Sequence, residues 1–160
     1  MGIFTEQRAP ALVRRIRRYF PNVNRVADSK APLKIVVKEC DVEKAKKKSE
    51  NHCAMALACQ RDSGCDGAII RPTVAFVIRG DLAVKYDVPH SVQREIVSFD
   101  RHRDFRPGEY QLSAVVPTHR IGYNRGKASV NKLTGKFKHR RPIISHMTQG
   151  MRGVTPHDGV

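Results

Sequence analysis

The sequence predicts an α+β fold of the ferredoxin-like kind, a split βαβ plan. In this plan the order β-α-β-β-α-β makes an antiparallel four-stranded sheet with two helices on one face. Two observations predict it. Between residues 34 and 117, β-branched apolar runs alternate with helical patterns in that order, and the charge is nearly balanced. Outside that range both flanks are basic and poor in apolar side chains. We therefore expect a compact core between two basic arms.

The positive charge of the chain is concentrated in its flanks. The 160 residues carry 30 Lys and Arg against 15 Asp and Glu, a net charge of +15. Residues 1–33 have 7 basic and 2 acidic side chains, residues 118–160 have 9 and 1, and residues 34–117 have 14 and 12. Flanks of this composition bury too little apolar surface to fold alone. We therefore predict a basic N-terminal arm over 1–33, an α+β core over 34–117 and an extended basic tail over 118–160.

The first predicted element is a short basic helix over residues 10–20. Its apolar side chains Leu12, Ile16 and Tyr19 fall on one side, arginines cover the remainder, and a proline ends it. Residues 22–32 show no periodicity and are predicted to be a linker.

The core is predicted to begin with a β-branched strand at residues 34–38. Asp41 is the predicted N-cap of a short helix, and Ser49 caps the start of a second helix that runs to residue 61. Nearly every side chain from 53 to 59 is small or apolar. We therefore expect this second helix to lie buried against the sheet.

A hairpin is the clearest local feature. Residues 68–78 form the longest apolar run, and Gly80 and Asp81 make a tight turn into residues 82–88, where apolar and charged side chains alternate. A proline near the start of the apolar run places that start at an edge or bulge.

A helix and a strand complete the predicted core. Residues 91–101 carry Val92, Ile96 and Phe99 on one helical stripe, and residues 110–116 form the last strand.

The four cysteines show no metal-binding spacing, because no C-x-x-C pair is present. The first residues lack the apolar stretch of a secretory signal, so we expect free thiols in a reducing compartment. Two alternatives stay open: a zinc site shared by His52, Cys40 and Cys65, and an oxidised pair of Cys59 with Cys65.

The sequence contains no Walker loop, G-x-G-x-x-G or nucleophile elbow. The acid–base cluster at residues 100–104 follows a helix end and precedes a turn, where charged side chains usually meet water. A small enzyme or inhibitor centred on Cys53, His102 and Asp104 remains an alternative that requires the three to share a pocket. The sequence contains no run of 18 apolar residues, so no membrane-spanning helix is predicted. We predict a non-enzymatic protein without a cofactor.

The candidate binding residues lie in the flanks. Lys and Arg separated by Gly, Ser and Asn suit a segment that follows a phosphate backbone or enters an acidic groove between subunits. Tyr123 and Phe137 are candidate anchors in apolar pockets. The alternative for the tail is a solvated, disordered segment. The predicted partner-binding set is Arg14, Arg15, Arg17, Arg18, Arg120, Tyr123, Arg125, Lys127, Lys132, Lys136, Phe137, Lys138, Arg140 and Arg141.

Two helices also carry a resemblance. Residues 51–61 contain the pattern C-A-x-A-x-A-x-x-R, and residues 91–101 contain R-E-I-V-x-F-D-R, followed by F-R-P-G-E-Y at 105–110. Over residues 34–117 the chain resembles small proteins encoded by tailed bacteriophages. The resemblance implies a phage origin and favours a virion component. It transfers no catalytic residue, because both patterns are packing motifs.

Composition and resemblance together predict a structural protein of a phage virion, made in the host cytoplasm. The expected role is a minor capsid protein or a capsid-decorating (cement) protein in a large assembly, without membrane contact. Its basic arms are expected to bind neighbouring capsid subunits or the packaged genome. The alternative is a sequence-independent nucleic-acid-binding protein of the ribosomal kind.

Overall fold

The structure is a computed structural model and describes residues 3–123. These residues form an α+β fold with two sheets. The elements in chain order are β1 (Phe4–Thr5), α1 (Pro10–Arg17), β2 (Arg25–Asp28), β3 (Leu33–Val37), α2 (Glu39–Lys44), α3 (Ala54–Asp62), β4 (Gly67–Ile70), β5 (Val74–Arg79), β6 (Leu82–Asp87), α4 (His90–His102) and β7 (Gly108–Leu112), followed by a single 3-10 turn at Pro117–His119.

The sheet arrangement differs from the predicted single antiparallel sheet. One sheet has five strands in the order β1-β2-β6-β5-β4, and β2 runs parallel to β6 while the other neighbours are antiparallel. The second sheet pairs β3 with β7, and an isolated bridge between Asp87 and Ser113 links it to the first. The difference arises because residues 25–28, predicted as linker, form β2 and occupy the free edge of β6.

The five-stranded sheet is buried on both faces, whereas the prediction placed helices on one face only. Along β5, Ala75 and Val77 pack in the cluster that contains α3 and α4. Their neighbours Phe76 and Ile78 pack in the cluster that contains α1. An apolar run without polar alternation is typical of a strand covered on both sides, which explains the composition of residues 68–78.

Helix α1 packs against the sheet and does not extend as an arm. It begins at Pro10, a residue suited to the first helical position because a backbone N–H there would have no partner within the helix. Val13 and Ile16 are fully buried, whereas the predicted stripe member Tyr19 lies beyond the helix end and is 39% exposed. Residues 3–28 therefore belong to the folded body, which corrects the predicted boundary at residue 33.

Several other predicted elements are present with shifted bounds. The hairpin of β5 and β6 turns at Gly80, whose φ of +61° suits glycine. Val92, Ile96 and Phe99 of α4 are all buried, as their spacing predicted. The apolar run at 68–78 is split, however, because a turn separates β4 from β5. The last strand ends at Leu112, earlier than predicted.

The two predicted caps are corrected. Asp41 is not an N-cap but the third residue of α2, and its carboxylate accepts a 2.9 Å hydrogen bond from the backbone N–H of Lys38. Ser49 lies upstream of α3, whose N-cap is Cys53. Among residues 3–123, no helix is long and apolar enough to cross a bilayer.

Replacing Gly67 by alanine is expected to destabilise the fold by about 1–3 kcal/mol. A Cβ at Gly67 would lie 2.5 Å from Cζ of Phe20, so the ring must leave its place under β4. Urea denaturation of Gly67→Ala measures the loss. A Phe20→Leu background should reduce it, because the shorter side chain makes room. An equal loss in both backgrounds would contradict the close contact.

Candidate basic binding surface

The outward side of α1 carries three arginines without acidic partners. Arg14, Arg15 and Arg18 are exposed, and α1 contains no carboxylate. Within the described range, none of the three forms an ion pair. Arg14 and Arg18 are one helical turn apart, and Arg15 is turned toward the side of Leu12. We call Arg14, Arg15 and Arg18, together with Arg120 from the segment that packs on α1 through Ile121, the basic surface.

Arg17 makes contacts within the folded protein. Its guanidinium forms a 2.9 Å ion pair with Glu6 and donates a 2.8 Å hydrogen bond from Nε to the carbonyl of Val23. These contacts tie α1 to the segments on either side of it. Arg17 is therefore engaged within the protein, unlike the other three arginines predicted with it.

The basic segment 118–160 begins with residues that pack back onto α1. Ile121 is buried in the same apolar cluster as Val13 and Ile16. Its backbone N–H donates to both carboxylate oxygens of Asp28, at 3.0 and 3.2 Å. The 8 basic and 1 acidic side chains of residues 124–160 follow this fixed segment in the sequence.

Polar contacts hold the segment that leads to Ile121. The carboxylate of Asp87 accepts a 3.1 Å hydrogen bond from the N–H of Val116 and lies 3.1 Å from Nδ1 of His119. The ammonium of Lys85 donates to the carbonyl of His119. These bonds place residues 116–119 along β6, so the position of this segment is set by the sheet.

A groove of about 450 Å³ lies between α1 and the sheet. Its lining combines apolar and cationic side chains, and among the described residues no carboxylate lines it. Sequence reasoning missed this groove, because its members come from four separate stretches of the chain. They are Leu12, Arg15, Thr73, Val74, Phe76, Lys85 and His119.

The cysteines have the character of packing residues. Cys53, Cys59 and Cys65 are buried, and all four thiols are free. Burial raises the pKa of the Cys53 thiol to about 11, and burial likewise raises the pKa of Cys59. Such thiols stay protonated near neutral pH and are poor nucleophiles and poor metal ligands.

The metal and enzyme alternatives are not assembled in the described part of the chain. No three His, Cys, Asp or Glu side chains converge there on a possible ion, including His52 with Cys40. Cys53 lines a cavity of about 200 Å³, whereas His102 lines a different groove on α4, and Asp104 lines neither. Cys53 and His102 therefore line different cavities in the described part of the chain.

Of the predicted binding set, six residues lie in the described range: the four arginines at 14, 15, 17 and 18, with Arg120 and Tyr123, both exposed. The remaining eight lie outside the described residues: Arg125, Lys127, Lys132, Lys136, Phe137, Lys138, Arg140 and Arg141.

Comparisons of this chain with protein-family models, with curated proteins and with solved structures find no match. The function is therefore inferred from the chemistry of the basic surface and from the composition of the chain.

Proposed function

We propose that this protein is a non-enzymatic structural component of a phage virion, a minor capsid or capsid-decorating protein, and that its basic surface binds the packaged nucleic acid. One observation carries the proposal. Arg14, Arg15 and Arg18 are exposed beside one another at α1 and form no ion pair among residues 3–123. Cations without carboxylate partners on one face of a protein attract a polyanion.

The chemistry favours phosphates over base edges. Arginine presents a planar set of donors that matches a phosphate, and contacts of this kind position a protein without reading sequence. Arg14 and Arg18 project from a helix that is already fixed on the sheet, so binding does not have to order the helix itself. We therefore expect binding that is strong at low salt and independent of sequence.

The genome is favoured over neighbouring subunits as the partner of Arg14 and Arg18 on the outward side of α1. A cement protein that grips its neighbours with an N-terminal arm needs a free arm, and residues 3–28 are instead packed against the sheet. The virion assignment itself is supported by the resemblance over residues 34–117. The second candidate, a nucleic-acid-binding protein of the ribosomal kind, is favoured by the same basic surface.

Replacing Arg14, Arg15 and Arg18 together by glutamine is expected to weaken duplex binding about eightfold near 0.1 M salt for each phosphate that the variant no longer neutralises. The slope of log K against log salt should become shallower by up to about 2.7, since each duplex phosphate contributes about 0.9. Fluorescence anisotropy with two duplexes of unrelated sequence, over a series of KCl concentrations, measures both quantities.

The matched control removes the same charge elsewhere, with glutamine at Lys44, Lys46 and Lys47, which are exposed and flanked in the sequence by Glu43 and Glu50. The control should keep most of the affinity and the slope. If both triple variants lose the same affinity, net charge alone explains binding and the basic surface has no special role.

Mass spectrometry of purified particles separates the two candidates. A virion protein that holds the genome should be present in full particles and depleted in particles without genome. Equal amounts in both would instead indicate attachment to the capsid shell. Absence from both would contradict the virion assignment and leave the ribosomal-type candidate.

A further inference from the structure

The groove beside α1 has an apolar floor and a cationic rim. Leu12 and Arg15, three residues apart, lie on the same side of α1. Val74, at the start of β5, is half-buried and offers part of its surface to the groove. Lys85 adds a second cation from β6. At about 450 Å³ the groove is within the size range of ligand sites in proteins.

The two cations keep their charge available. Arg15 has no ion pair among residues 3–123, and Lys85 bonds to a neutral carbonyl, that of His119. Asp87 is the carboxylate closest in sequence to the groove's β6 residue, and it is already engaged by His119 and by the N–H of Val116. The rim therefore carries uncompensated positive charge above an apolar floor.

We propose that this groove binds an acidic peptide segment with an apolar anchor side chain, supplied by another protein of the assembly. The anchor contacts Leu12 and Val74, and carboxylates on either side of it pair with Arg15 and Lys85. The proposal goes beyond nucleic-acid binding: it assigns a second partner to a site that shares Arg15 with the basic surface.

The composition of the floor favours a peptide over a nucleic acid. Bases that bind outside a duplex usually stack on aromatic rings. Phe76 is only 4% exposed, and the ring of His119 is engaged by the carboxylate of Asp87 at 3.1 Å. A phosphate backbone gains nothing from contact with Leu12 and Val74. An apolar peptide side chain gains from both, and charged groups at the rim then set its orientation.

The test uses the full chain and two fluorescent twelve-residue peptides. One alternates aspartate with leucine, and the other has serine in place of each leucine. We expect the leucine peptide to bind at least tenfold more tightly at the same salt concentration. Val74→Thr keeps the shape and charge of the groove while it replaces a methyl group by a hydroxyl, and it should weaken the leucine peptide by roughly tenfold. Arg15→Gln should weaken both peptides.

The control is the same chemical change outside the groove, Val116→Thr, at a side chain that is 44% exposed. It should leave peptide binding unchanged. Thermal unfolding checks that both variants fold. If Val74→Thr does not fold, Val74→Ala takes its place as the test variant.

Three results would overturn the proposal. They are equal binding of the two peptides, unchanged leucine-peptide binding in Val74→Thr, and a parallel loss of duplex binding in that variant, which would identify a nucleic acid as the occupant. The two proposals fail separately, since Val74→Thr retains every cation. Loss of the peptide site leaves the salt dependence of duplex binding intact.

Discussion

Replacing Ile16 by alanine is expected to lower the free energy of unfolding by about 2–4 kcal/mol. Ile16 is 1% exposed and packs with Val26 and Ile121 between α1 and the sheet. Truncation removes apolar packing and leaves a cavity that a short helix can close only in part. Urea denaturation of the full chain without any partner measures the change.

The control for this prediction is Arg14→Ala, on the exposed side of the same helix. It should change stability by no more than about 0.5 kcal/mol, because the side chain has no ion pair among residues 3–123. If Ile16→Ala proves as stable as Arg14→Ala, α1 is not docked in solution, and residues 1–33 behave as the free arm that composition suggested.

Replacing Asp41 by alanine is expected to lower the free energy of unfolding by about 2–3 kcal/mol at pH 7, the second large effect. Asp41 is 5% exposed. Its carboxylate accepts hydrogen bonds from Arg61 at 2.9 and 3.2 Å and from the N–H of Lys38 at 2.9 Å. Arg61 also donates to the carbonyl of Val36 at 2.7 Å. The group therefore joins β3, α2 and α3, and its removal leaves donors without partners.

The same substitution has a defined pH dependence. Burial disfavours the charged form of Asp41, but the bonds from Arg61 and Lys38 outweigh it, and the pKa lies below its usual value. A carboxyl whose pKa is lowered by folding contributes stability above its unfolded pKa, and this contribution is lost as the pH falls through the folded pKa. The difference in the free energy of unfolding between the natural protein and Asp41→Ala should therefore become smaller from pH 7 toward pH 3.

Asp62→Ala is the matched control, because Asp62 also pairs with Arg61, at 2.8 Å, but is itself exposed. It should cost no more than about 0.5 kcal/mol. The assigned role of the buried carboxylate would be contradicted if the difference in the free energy of unfolding between the natural protein and Asp41→Ala stayed constant or grew on acidification.

Local pattern was enough to predict most elements between residues 33 and 112. The stripe of Val92, Ile96 and Phe99 and the glycine turn at Gly80 depend only on neighbours in sequence, and both are present. The order of the strands was not predictable in the same way. β2 is four residues long with two apolar side chains, and its parallel pairing with β6 spans more than fifty residues.

One available signal was overlooked. Residues 68–78 have no polar face, so both faces of the sheet must be buried. The nearest amphipathic segment without a predicted packing partner was α1. Its apolar face was also misplaced: Tyr19 lies beyond the helix end, and the buried pair is Val13 and Ile16.

The binding site was predictable only in part. The charge pattern singled out the four arginines at 14, 15, 17 and 18 as candidates, but it could not show that Arg17 pairs with Glu6. The groove was not predictable, because Val74 and Lys85 come to lie beside α1 only through the strand order.

The central claim is that α1 and Ile121 are fixed on the sheet before any partner binds, so that the arginines of α1 are held in place. Hydrogen exchange followed by NMR on the free full chain tests it most directly. We expect slow exchange at Val13, whose N–H bonds to Ala9, and at Ile121, whose N–H bonds to Asp28. Exchange at unprotected rates at both positions, while β5 stays protected, would contradict the claim.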